Sequence, residues 1–147
     1  MSKISNFDYK MFDAARKVAH TSDFDVFHVG CVIVYKKHII ASAANTNKTN
    51  PTQKKYNRKY RKFNKGKGAI LDKGHAEICA LKSIPYPLQQ SINWKEVKVY
   101  IFRVCKGKPL GQGLSRPCPS CLAAIKDYGI QNIYYTTDEG YCHERLV

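Results

Sequence analysis

Between residues 7 and 20, Phe7, Met11, Ala14, Ala15, Val18 and Ala19 recur at helical spacing, with Asp and Lys between them. That spacing predicts an amphipathic helix, and Ser5 or Asn6 can cap its start. Residues 29–34 (VGCVIV) are nearly all apolar, and 38–44 (HIIASAA) follow after Lys36-Lys37. Two strands joined by a tight turn fit this pattern, although the turn holds no glycine. Residues 75–84 (HAEICALKSI) read as a helix, and 96–104 (EVKVYIFRV) alternate as a strand does. A further helix is expected over 119–128, ended by Gly129, with a fourth strand over 131–136 and a short tail over 137–147. The order α-β-β-α-β-α-β has a helix between the third and fourth strands, so a right-handed crossover makes that pair parallel. An α/β architecture follows, with a mixed sheet of about four strands and helices packed on it.

Residues 45–74 break this rhythm. Residues 46–68 contain Lys48, Lys54, Lys55, Arg58, Lys59, Arg61, Lys62, Lys65 and Lys67 and no acid. The 147-residue chain has 25 basic and 11 acidic residues, a net charge of +14, and these nine bases carry most of it. The segment reads as a basic insertion in a single domain, and any polyanionic partner is expected to meet it there. Tyr56, Tyr60 and Phe63 are interleaved with its bases at i, i+4 and i+7. A basic groove with aromatic platforms suits a single-stranded nucleic acid. The same stripe at helical spacing also suits packing on the core, with a solvated basic face.

With 44% hydrophobic residues the chain can build a core. No apolar run reaches the roughly 20 residues of a membrane span, and the polar start lacks a signal-peptide pattern. A soluble, cytoplasmic protein is the expectation. Its six cysteines are then reduced thiols rather than a disulfide frame.

Two short motifs carry chemistry. His75-Ala76-Glu77 opens one predicted helix, and Pro117-Cys118-Pro119-Ser120-Cys121 opens the next. Cys118 and Cys121, three apart, share a helical face and can grip one ion. Thiolates are favoured at a helix N-terminus, and Pro119 suits its first turn. One imidazole and two sulfurs make three ligands for Zn2+ and leave a fourth position for water, the pattern of a catalytic site. Glu77 is the carboxylate that can take that water's proton. Two residues along a helix is nearly the opposite face from His75, so its approach must come from the helix start and the fold. Cys105 and Cys142 offer a structural four-cysteine alternative that leaves His75 and Glu77 unexplained.

H-x-E followed by P-C-x-x-C is the signature of zinc nucleobase deaminases. The chain resembles the cytidine and deoxycytidylate deaminase superfamily, which includes tRNA adenosine deaminases and polynucleotide cytidine deaminases. The likeness extends from about residue 7 to 141, through Val29-Gly30-Cys31-Val32-Ile33-Val34, Ala43-Ala44-Asn45 and Gly129-Ile130, with 46–74 as an insertion. It implies a three-layer fold; the chain stops at Val147, leaving room for little more than a turn or short helix where the family often adds a fifth strand. It implies that His75, Cys118 and Cys121 hold zinc, that Glu77 shuttles protons, that Ala76 offers its carbonyl to the leaving amine, and that Asn45 binds sugar or base. Tyr135, Asp138 and Tyr141 match a loop that reads a neighbouring base. Leu114-Ser115-Arg116 replaces the Ser-Trp-Ser of many polynucleotide members, so Arg116 either meets a phosphate or pairs with an acid.

The expected activity is zinc-dependent hydrolysis of cytosine to uracil in single-stranded nucleic acid, DNA first. Lys54, Lys55, Tyr56, Arg58, Lys59, Tyr60, Arg61 and Lys62 are the expected contacts. Alternatives are a free cytidine nucleotide deaminase, an RNA adenosine deaminase, and a non-catalytic zinc module that binds nucleic acid.

Overall fold

A computed structural model describes residues 3–24, 27–60 and 73–146. Helix α1 spans Asn6–Ala19 and begins with a reciprocal cap. The Ser5 hydroxyl accepts from the Asp8 amide at 3.1 Å, and the Asp8 carboxylate accepts from the Ser5 amide at 2.9 Å. The same carboxylate accepts the Tyr100 phenol, which ties the helix to the sheet. Burial opposes the charge on Asp8, but hydrogen bonds from Tyr100 and Ser5 outweigh it and hold the pKa below the ordinary value.

Strands β1 (His28–Tyr35) and β2 (His38–Ala44) form the expected hairpin. Its turn works without glycine because Lys36 and Lys37 both adopt left-handed backbone, at φ 49° and 67°. Two such residues match the twist of a two-residue hairpin, at a cost of roughly 1 kcal/mol each. Helix α2 (Pro51–Tyr60) lies within the basic insertion. Helix α3 (Ala76–Lys82), α4 (Tyr86–Ser91) and a 3-10 turn at Trp94–Glu96 lead to β3 (Lys98–Val104). A two-residue strand, β4 (Gln112–Gly113), pairs with β3 before α5 (Pro119–Asp127), β5 (Asn132–Thr136) and β6 (Tyr141–Arg145).

The sheet runs β2-β1-β3-β5-β6. The β3–β5 pair is parallel, as the crossover through α5 requires, and the other pairs along this order are antiparallel. Alternating residues fill two cores. Phe12 and Ala15 of α1 meet Val32, Val34, Tyr100, Phe102 and Tyr134 on one face. Ile78 and Leu81 of α3 and Ala124 and Ile125 of α5 meet Cys31, Ile33, Val99, Ile101 and Ile133 on the other. The result is a helix–sheet–helix sandwich, and the unbroken apolar run of β1 reflects burial on both faces.

The sheet extends past the four strands read from the sequence. Residues expected to form a tail supply β6, a fifth full strand, whose polar side chains hide the usual alternation. Tyr141 packs on Phe12 with ring centroids 4.5 Å apart, and His143 stacks on Tyr134 at 4.3 Å. The mixed sheet with helices packed on it is as expected, with one full strand more than the about four read from the sequence, because an edge strand can be held by ladder bonds and a few aromatic contacts.

Gly30 lets α1 lie directly on β1. A Cβ there would sit 2.1 Å from the Ala15 carbonyl oxygen and 2.5 Å from the Ala19 nitrogen, both immovable backbone atoms. We therefore expect Gly30→Ala to cost roughly 3 kcal/mol and lower Tm by about 6–12 °C in a thermal melt. An unchanged melt would contradict this close approach.

Candidate active site

The strand directions place one end of the sheet at the disposal of a site. β2, β3 and β5 all end there and β1 begins there. The chain leaves β2 through Asn45, makes the basic excursion, and returns at Gly74. The excursion is closed at its base: the Thr46 amide donates to the Gly74 carbonyl at 2.9 Å, and the Gly74 amide to the Lys48 carbonyl at 3.0 Å. Gly74 must be small, since a Cβ would lie 2.7 Å from the Cys79 sulfur.

His75 then occupies the cap position of α3, with extended backbone at φ −77° and ψ 151°. Cys118 occupies the matching position of α5, at φ −67° and ψ 167°, followed by Pro119. Neither side chain caps its own helix, so both are directed elsewhere. They meet Cys121: His75 Nδ1 is 3.3 Å from Cys121 Sγ and 3.6 Å from Cys118 Sγ. The three ligand atoms lie within 4.8 Å of one another, the one such cluster of three or more among the described residues. The four-cysteine alternative through Cys105 and Cys142 does not assemble there, and all six cysteines are free thiols.

The sulfurs bear the mark of a cation site. A hydrogen bond from Cys121, then one from His75, holds the Cys118 thiol down at about 3 against the effect of burial. Burial and the neighbouring Cys118 push the Cys121 thiol upward. Two enclosed sulfurs beside each other resist joint ionisation, and a bound dication removes that resistance. His75, Cys118 and Cys121 therefore fit zinc by donor type and by proximity.

Glu77 reaches this cluster because His75 is a cap rather than a helical residue. The half-turn separation that places i and i+2 on opposite faces does not apply across a helix start. Its buried carboxyl is pushed up to about 7, first by burial and then by Cys118, while His75, its own amide and Cys121 pull the other way.

A cavity of about 180 Å³ opens above the cluster, walled by Phe27, Val29, Asn45, His75, Ala76, Glu77, Arg103, Leu114, Ser115, Arg116 and Cys118. Seven of the residues singled out in the sequence thus converge: six line this wall and Cys121 lies just behind it. Asn45 is held hard in place. Its Oδ1 accepts from the Ser22 hydroxyl at 2.6 Å and the Val29 amide at 2.9 Å, and its Nδ2 donates to the Phe27 carbonyl at 3.0 Å. Arg116 takes the acid-paired option, donating twice to Glu144 at 3.0 and 2.9 Å. Tyr135 donates to the same carboxylate at 3.1 Å.

Other expected contacts lie off this wall. Tyr135 does not line it, and neither does Asp138, which pairs with Lys108 at 3.0 Å. Lys54, Lys55, Tyr56, Arg58, Lys59 and Tyr60 sit on α2 and do not line it either. Tyr56 donates to Asp127 of α5 at 2.7 Å and stacks on Tyr60 at 6.1 Å. Arg61, Lys62 and Phe63 lie outside the described residues.

Three working residues escaped the sequence reading. Gln53, wholly buried, accepts the His75 amide at 3.2 Å and donates to Asn57 at 3.1 Å. It also donates toward Cys121. Ser115 bonds the Ile101 carbonyl and the Thr136 amide at 2.9 and 2.8 Å, which pins the approach to Cys118 against the sheet. Arg103 joins the cavity wall from the end of β3. The visible signal for Gln53 is a polar residue two after Pro51, just before Lys54 and Lys55; the other two carried none.

The zinc-binding region of cytidine and deoxycytidylate deaminases matches residues 5–137. This chain belongs to that family. Among curated proteins none matches the sequence. RibD of Acinetobacter baumannii is similar in structure at 17% identity and a TM-score of 0.48, over 86% of this chain and 27% of that one. This deaminase-family chain thus spans little more than a quarter of the RibD chain. A tRNA:A34 deaminase from work on A-to-I editing is similar at 22% identity and a TM-score of 0.44, over 88% of this chain and 72% of that one.

Gln53→Leu removes a partner from both a ligand backbone and a ligand sulfur. It should weaken zinc affinity about 10–100-fold in a chelator competition. Cys118→Ser should abolish stoichiometric zinc outright. Wild-type zinc retention in Gln53→Leu would reduce that side chain to a packing role.

Proposed function

We propose that this chain hydrolytically deaminates cytosine to uracil within a single-stranded nucleic acid, with DNA the first substrate to test. The observation that carries the reading is the buried Glu77 carboxyl beside the His75–Cys118–Cys121 cluster at the floor of a cavity sized for one base. When bound, zinc is a Lewis acid that brings the pKa of a water near neutrality.

The chain's own groups do the rest. Phe27, Val29 and Leu114 give apolar walls for a planar ring, and the Ala76 carbonyl receives the exocyclic amine. Glu77, poised near neutral pH, takes a proton from the attacking water and delivers it to the ring nitrogen. A second proton passes through it to the departing amine, so cytosine and water become uracil and ammonia. Asn45, immobilised by Ser22, Val29 and Phe27, lines the cavity as a fixed sugar contact.

A polymer substrate is supported by the net charge of +14, far beyond the need of one nucleotide. The basic face of α2 would act at a distance from the base, as a track for backbone phosphates. Pro-Cys-Pro-Ser-Cys favours cytosine-type chemistry by resemblance. The second reading, a free cytidine nucleotide as substrate, draws on one observation: Tyr56 is tied to Asp127 and stacked on Tyr60, which weakens its use as a platform for bases.

Zinc-loaded protein should convert a single cytosine in a labelled single-stranded oligonucleotide faster than it converts dCMP, CMP, cytidine or adenosine in RNA. Glu77→Gln should keep zinc and lose about 10²–10⁴-fold in rate. Neutralising Lys54, Lys55, Arg58 and Lys59 together should flatten the salt dependence of oligonucleotide binding. Turnover of monomers alone would transfer the assignment to the free nucleotide. Absence of turnover on every substrate would leave a zinc-stabilised binding module.

A further inference from the structure

A second, larger groove of about 380 Å³ adjoins the cavity and shares Phe27 and Arg103 with it. Among the described residues, His20, His28, Val104, Cys105 and Lys106 also line it. Four basic side chains therefore converge from the end of α1, the start of β1 and the end of β3. No acidic side chain among the described residues lines the groove.

Arg103 stands at the threshold. Its guanidinium carbon lies 4.9 Å from the centre of the Phe27 ring, which holds it against the cavity wall. Its Nε is buried and has no hydrogen-bond partner among the described residues. It enters none of the ion pairs among the described residues. A buried guanidinium N–H left without an acceptor is expensive, and an oxyanion is the acceptor that its planar donor fork matches best. Lys106 and the two imidazoles around it add further donors.

We propose that this groove is a phosphate subsite, with Arg103 as its anchor, for a nucleotide whose base occupies the adjoining cavity. The base is the one proposed above, so the inference rests on that reading. The phosphate comes either from a free nucleotide monoester or from the diester backbone of a strand. Either source presents oxygens to Arg103 and Lys106 while the ring lies between Phe27 and Leu114. Among the described residues, none that lines this groove belongs to the basic insertion.

The test uses zinc-loaded protein and three cytosine ligands: deoxycytidine, dCMP and a short trinucleotide with cytosine at its centre. Calorimetric titration should show that a phosphate improves affinity at least about tenfold over deoxycytidine. Arg103→Gln should collapse that ratio toward one, and Arg103→Lys should restore part of it. A gain for dCMP alone identifies the monoester, and a gain for the trinucleotide alone identifies the strand backbone. Equal binding of all three ligands, or a ratio that survives in Arg103→Gln, overturns the subsite.

Inorganic phosphate added to the wild-type protein gives a readout independent of the base and of any variant's folding. The Arg103 Nε–H resonance should shift saturably. If it shifts and no cytosine ligand binds, the subsite stands and the base assignment fails. If it stays fixed through tens of millimolar phosphate, the subsite is overturned even where deoxycytidine binds.

Discussion

The site depends on two helix starts meeting at one end of the sheet. His75 and Cys118 each occupy the residue before a helix, where the backbone is still extended and the side chain can point away from the helix axis. The parallel pairing of β3 and β5 sets the direction of α5, and the β1–β2 hairpin returns the chain to the same end before α3. Three ligand atoms converge because of these strand directions. The nearness of Glu77 to the cluster is a consequence of the same cap geometry, since a His one turn inside the helix would turn it away.

The basic insertion is joined to this arrangement rather than hung from it. Its ends are laced together by the Thr46–Gly74 and Gly74–Lys48 bonds, and its helix sends Gln53 inward to the His75 amide and toward Cys121. A Gln so placed orients two ligands at once, which is the usual task of groups behind a metal's own ligands. The helix's outer face carries Lys54, Lys55, Arg58 and Lys59, while Tyr56 binds it to α5 through Asp127. One segment therefore couples a charged exterior to the interior of the site.

Much of this was legible in the sequence because the signals were local. The helix and strand periods of α1, β1, β2, β3 and α5 came through, as did the parallel pair. The zinc ligands stood out because spacing and residue type both constrain a metal site. Elements held by tertiary contacts were harder to see. β6 is polar along its length and is fixed by its ladder and by Tyr134 and Phe12. Whether Arg116 would meet an acid or a phosphate depended on Glu144, 28 residues away. Gln53 and Arg103 act through groups far along the chain, and no spacing rule reaches them.

X-ray absorption at the zinc edge of the purified protein bears most directly on the central claim. The account predicts one zinc per chain, with two sulfur neighbours and the remaining neighbours nitrogen or oxygen. A shell of four sulfurs, or a chain that retains no zinc, would contradict it.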